Sequence, residues 1–105
     1  MATGIASGRT TPGSTAWQQY VSSNGAFNGV FVDVDTRAGK LTGTPVYVTS
    51  IGGRSHHWST TGATSIYRPS ATGFRVHVRW SDGSALNPAT ANSLEWHINW
   101  IATEI

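Results

Sequence analysis

Apolar residues in this chain fall in short alternating runs. In Phe74-Arg75-Val76-His77-Val78-Arg79-Trp80, the residues Phe74, Val76, Val78 and Trp80 share one face, and Arg75, His77 and Arg79 the other. A two-residue side-chain period predicts a half-buried strand. Gly73 before it and Asp82-Gly83 after it supply its turns. Val30-Phe31-Val32-Asp33-Val34-Asp35 predicts a second strand, with Val30, Val32 and Val34 inward and Asp33 and Asp35 outward. Pro45 to Ile51 predicts a third. It is apolar on both faces, Val46 and Val48 against Tyr47 and Ile51, and so belongs at the centre of a sheet or at an interface. Leu94 to Ile101 predicts a fourth, stacking Trp96, Ile98 and Trp100 on one side. Weaker patterns over Ile5 to Arg9 and Thr61 to Tyr67 bring the total to about six strands. Gly25, Gly39, Gly43, Gly52-Gly53 and Gly83 mark the turns. No amphipathic helical window of useful length interrupts them. The expectation is an all-β fold, a six-stranded antiparallel β-sandwich formed by one domain over residues 1–105.

Composition narrows the class further. A chain of 105 residues supports one core. Charged residues are 11%, against about 25% in typical domains, which excludes a coiled coil or a highly charged bundle. Five Trp and a hydrophobic share of 38% exclude a disordered polar chain. The net charge of +2 comes from scattered arginines and the single Lys40, too few and too dispersed for a nucleic-acid footprint. With no cysteine, disulfides, thiolate metal sites and cysteine nucleophiles are excluded. No apolar stretch is long enough to span a membrane, and residues 1–20 lack the apolar core of a signal peptide. The expectation is a soluble protein, secreted or cytoplasmic.

The sequence contains no nucleophile elbow, phosphate loop or HExxH pattern, so binding without catalysis is expected. His56 and His57 are adjacent and, on an extended chain, point to opposite faces, which is poor chelating geometry. Asp33 and Asp35 share a face. They are the candidates for a hard cation such as Ca²⁺, the alternative being plain solvation of an outer face. The aromatic residues are more informative. Trp58 lies in Arg54-Ser55-His56-His57-Trp58 after the Gly52-Gly53 turn, and Trp80 runs into Ser81-Asp82-Gly83. An indole beside fixed donors and acceptors suits a sugar: the ring covers the C–H face of a pyranose while polar groups bind its hydroxyls. The competing reading is packing, which fits Trp96 and Trp100 better and also applies to Trp80 on the inward face of its strand.

Four segments resemble the H-type lectin family, the snail-agglutinin type domain also found at the C-terminus of discoidins. Ser7-Gly8-Arg9, followed by Trp17, is similar to the family's opening strand. Thr44-Pro45-Val46-Tyr47-Val48-Thr49-Ser50-Ile51 resembles its Pro-led hydrophobic strand. Thr72-Gly73-Phe74, opening a strand that ends at Trp80, is similar to its Thr-Gly-Phe segment, and Trp96 to Glu104 to its closing strand. The resemblance implies a six-stranded sandwich that assembles as a homotrimer, or as a dimer of trimers. It also implies glycan or glycoprotein partners: terminal galactose or N-acetylgalactosamine bound in grooves between protomers, without catalysis and usually without metal. Carried over by position, the sugar-binding residues are Trp80, Ser81 and Asp82, with polar contacts from the preceding strand around His56 to Thr61, a stretch that includes His57 and Trp58. The neighbouring protomer contributes from the loop Asn24 to Asn28, including Asn28. The family's intrachain disulfide and its Asn-x-Arg ligand pair have no counterpart, and the segment between Trp80 and Trp96 is longer than usual. Two other classes compete with a lectin: a trimeric structural or adhesion domain that binds protein surfaces, and a small hydrolase or metal-dependent binder built on Asp33 and Asp35.

Overall fold

The structure, a computed structural model, describes residues 4–25 and 28–104. In chain order the strands are β1 Ile5–Arg9, β2 Gln18–Val21, β3 Asn28–Asp35, β4 Val46–Gly52, β5 Thr60–Thr61, β6 Tyr67–Ser70, β7 Gly73–Trp80 and β8 His97–Thr103. One short helix, α1 Pro88–Ser93, lies between β7 and β8. The strands form two antiparallel sheets around one core, an all-β sandwich as expected. One sheet has the order β1-β8-β4. The other runs β2-β3-β7, with β5 and β6 both paired to the far side of β7.

The alternating runs place their apolar faces as read. Val30, Val32 and Val34 of β3 and Phe74, Val76 and Val78 of β7 are buried, and they meet Tyr47, Ile98, Trp100 and Ala102 from the other sheet. Hydrogen bonds from buried polar side chains tie the layers together, as the low dielectric of a core favours. The Tyr47 hydroxyl reaches Thr36 Oγ1 (2.8 Å) and donates to the Ser70 carbonyl (2.5 Å). The Thr49 hydroxyl donates to the Ala63 carbonyl at 2.6 Å. The Trp17 indole N–H donates to the carbonyl of Trp96, and the Trp96 indole N–H to the carbonyl of Ser55. Trp96 itself is fully buried and meets Trp80 edge to face, ring centres 5.1 Å apart.

Several expectations need correction. Among the described residues the strands number eight rather than six. β2 has no apolar alternation to reveal it, because it is an edge strand with all four residues exposed. The stretch from Thr61 to Tyr67 is not one strand. Its ends pair with β7 while its middle turns inward at the buried Ala63. The last strand starts at His97, since Leu94 closes α1 and Glu95 takes a left-handed φ of 59°. The helix forms where none was expected: the Asn87 side chain accepts from the Thr90 N–H at 2.8 Å and Pro88 supplies the first turn.

β4 is an edge strand rather than a central one. Tyr47 and Thr49 point into the core, while Val46 and Val48 are exposed on the outer face. Val48 pairs with Ile101, and Val46 and Ile5 both pair with Thr103. The exposed side chains of Ile5, Val46, Val48 and Ile101 therefore make an apolar stripe across the three-stranded sheet. Loss of the central indole in Trp96→Ala should lower unfolding free energy by about 3–5 kcal/mol in denaturant titration, whereas Asn87→Ala, removing only the cap, should cost about 1 kcal/mol.

Candidate functional site

Two regions gather chemistry. The first is the corner where β7 ends beside β5. Thr60 pairs with Trp80, and the Ser81 N–H donates to the Ser59 carbonyl at 2.9 Å. This brings the turn His57–Ser59 against Trp80, Ser81 and Asp82, uniting two segments that lie about twenty residues apart in sequence. The turn is held from below as well: Arg54 N–H donates to the Leu94 carbonyl, and the Trp96 indole holds Ser55. His56 enters it with φ of 69°, a left-handed conformation rare for a residue with a Cβ, and its ring meets the Ser55 hydroxyl at 2.7 Å. Trp58 is thereby presented at 88% exposure on a turn fixed by hydrogen bonds.

The remaining residues singled out from the sequence divide clearly. Ser81 and Asp82 are exposed just past the end of β7. The Asp82 carboxylate accepts from the Ser84 N–H (2.9 Å), and this bond, followed by the Ser84 hydroxyl, holds its carboxyl below the usual carboxylate range. Trp80 is half-buried and packs on Trp96, so it supports the corner more than it faces solvent. His57 turns inward with Nδ1 buried and no hydrogen-bond partner. The Asn28 carbonyl accepts from the Leu86 N–H and its side chain from Gln19. Of its loop, residues 26 and 27 lie outside the described residues.

Asp33 and Asp35 do share the outer face of β3, and each carboxylate is held by an arginine. Arg75 grips Asp33 with Nε at 2.7 Å and an Nη at 2.9 Å, and Arg37 grips Asp35 with an Nη at 2.7 Å and its own backbone N–H at 2.9 Å. The Arg37 guanidinium holds the Asp35 pKa down to about 2. Among the described residues no group of three or more His, Asp or Glu comes together to hold a metal ion.

The second region was not singled out from the sequence. It is the outer face of the larger sheet, where four rings converge. His77 of β7 meets Tyr20, Phe31 and Tyr67 at ring-centre distances of 4.8, 5.5 and 5.1 Å, both tyrosines edge-on to the imidazole. Arg75 lies over Phe31 at 4.3 Å, a cation–π contact. Beside this cluster a hollow of about 430 Å³ opens over the backbone of Gly29 and Val30. Tyr20 and Ser22 form one wall, Thr61, Gly62, Ser65 and Arg79 another, and Tyr67 and His77 the end. Gly29 keeps the floor bare. A Cβ there would sit 2.5 Å from the Val78 carbonyl oxygen, so no side chain fits. One signal was available: Arg75, His77 and Arg79 share the outward face of the strand Phe74 to Trp80. The tyrosines that complete the hollow stand on β2 and β6, which sequence periodicity did not resolve.

No family model matches this chain, and no curated protein matches it.

Burial among the rings lowers the His77 pKa from its ordinary 6.5, and the adjacent Arg75 and Arg68 add to the shift, with Asp33 opposing it. The folded chain thus holds this proton less tightly than the unfolded chain. Its contribution to stability is complete above pH 6.5 and is lost as the pH falls below that value towards the folded midpoint. NMR titration of the imidazole should give a midpoint below 6.5; one at or above it would mean the ring is not enclosed by the cluster.

Proposed function

We propose that the protein is a non-catalytic lectin of the H-type kind. On this reading it is multivalent and recognises terminal galactose or N-acetylgalactosamine-type sugars in grooves between the protomers of a trimer. The observation that carries this reading is Trp58: a large apolar ring held in solvent on a hydrogen-bonded turn whose next residue, Ser59, accepts from the Ser81 N–H at the end of β7. Exposing an indole is unfavourable unless something covers it part of the time, and a pyranose face is a matching cover. Order in the free state also helps, because little conformational freedom remains to be lost on binding.

Assembly is supported by the stripe of Ile5, Val46, Val48 and Ile101. Contiguous apolar residues on the flat face of a three-stranded sheet fit burial against copies of the same surface around a symmetry axis. Each sugar contact is weak, since water competes for every hydroxyl, and linkage of several sites turns weak contacts into avid binding to clustered glycans. The binding partner is then a glycan or glycoprotein; no described helix is long and apolar enough to cross a membrane.

A glycan array run with and without chelator tests the reading directly. Binding to terminal galactose-type sugars is expected, unchanged by chelator, and lost on Trp58→Ala or Asp82→Ala with melting temperature preserved. A trimer silent on the array would instead favour an adhesion domain that binds protein surfaces, and chelator-sensitive binding would favour Ca²⁺ at Asp33 and Asp35. Sedimentation should show a trimer that Val48→Asp converts to monomer, with agglutination of glycan-bearing cells lost in the same variant.

A further inference from the structure

We propose that the hollow on the outer face of the five-stranded sheet is a second and separate binding site, one that takes a pyranose-sized polyhydroxylated ring bearing a carboxylate, such as a uronic acid. Its size is the first argument. About 430 Å³ lies within the range of small-molecule sites, and suits one or two sugar rings. The lining chemistry is the second. The rings of Tyr20, Tyr67 and His77 offer apolar surface at fixed angles, held against one another edge to face. Ser22, Thr61 and Ser65 line the hollow with the two tyrosines, hydroxyl-bearing residues of the kind that suits a polyol.

Charge sets the ligand's sign. Arg79 lines the hollow, and a guanidinium has five N–H donors, enough to take up a carboxylate alongside other contacts. The strands of this face carry Arg68, Arg75 and Arg79 against Asp33 and Asp35. Both acids are already gripped by Arg75 and Arg37, and neither is among the residues that line the hollow.

The hollow is also built into the backbone. Gly29 leaves the floor without a side chain, and the chain between β5 and β6 is drawn inward where Thr49 binds the Ala63 carbonyl, with Gly62 set against the His77 backbone. This site does not rest on the lectin reading above. Trp58, Ser81 and Asp82 take no part in its lining.

The test is an NMR titration of the intact protein at fixed pH, following the imidazole resonances of His77, with D-glucuronate and with D-glucose as the neutral probe. A ligand of this size predicts a dissociation constant of about 1 mM for glucuronate. Glucose should bind several-fold more weakly. Tyr67→Ala, at an exposed position, should weaken glucuronate about ten-fold, and Arg79→Gln should remove the preference over glucose. Trp58→Ala should leave the titration unchanged, so failure at the Trp58 corner and failure here are read separately. The proposal is overturned if His77 resonances do not move by about 50 mM glucuronate, if glucose binds equally well, or if Trp58→Ala weakens the titration as much as Tyr67→Ala does.

Discussion

The strand beside β7 cannot run straight, and much of this structure follows from that. The Thr49 hydroxyl, buried on the opposite sheet, donates to the carbonyl of Ala63, and Ala63 is itself buried. A hydroxyl in a core must find an acceptor, and here it finds one only because the edge of the other sheet dips towards it. The dip splits that edge into β5 and β6. One short piece then carries Trp58 to the end of β7. The other sets Tyr67 against His77 from the side. Both candidate binding regions are thus shaped by the way one core polar group is satisfied.

The sequence was most informative where a strand has one buried face. β3 and β7 alternate strictly, and their valines, Phe74 and the outward Asp33 and Asp35 lie where periodicity puts them. It was least informative at edges. Gln18-Gln19-Tyr20-Val21 forms β2 through hydrogen bonds to β3 with every residue exposed, so no pattern of burial is written into it. The inward turn at Ala63 depends on Thr49, fourteen residues away, which no local window contains. The helix was legible in principle from Asn87-Pro88, but six residues are too few to show a periodic face.

The same limit governs the sites. Pairing of Thr60 with Trp80 brings the turn that carries Trp58 to the end of β7, ahead of Ser81 and Asp82. His57 turns into the body, and Asn28 serves Gln19 and Leu86, because their roles depend on turn geometry and on a strand that the pattern does not show. Tyr20, Tyr67 and His77 come from three different strands of one face, and only the sheet order makes them neighbours.

The five indoles divide unevenly between solvent and interior: Trp17, Trp96 and Trp100 are buried, Trp80 is partly covered, and Trp58 stands in water. An indole's emission reddens with the polarity around it, so this chain carries its own optical label at the corner of β5 and β7. Light from Trp58 is open to quenching by a dissolved collider such as iodide, while the interior three are shielded, and any molecule settling on that ring would dim access to it without a dye being attached.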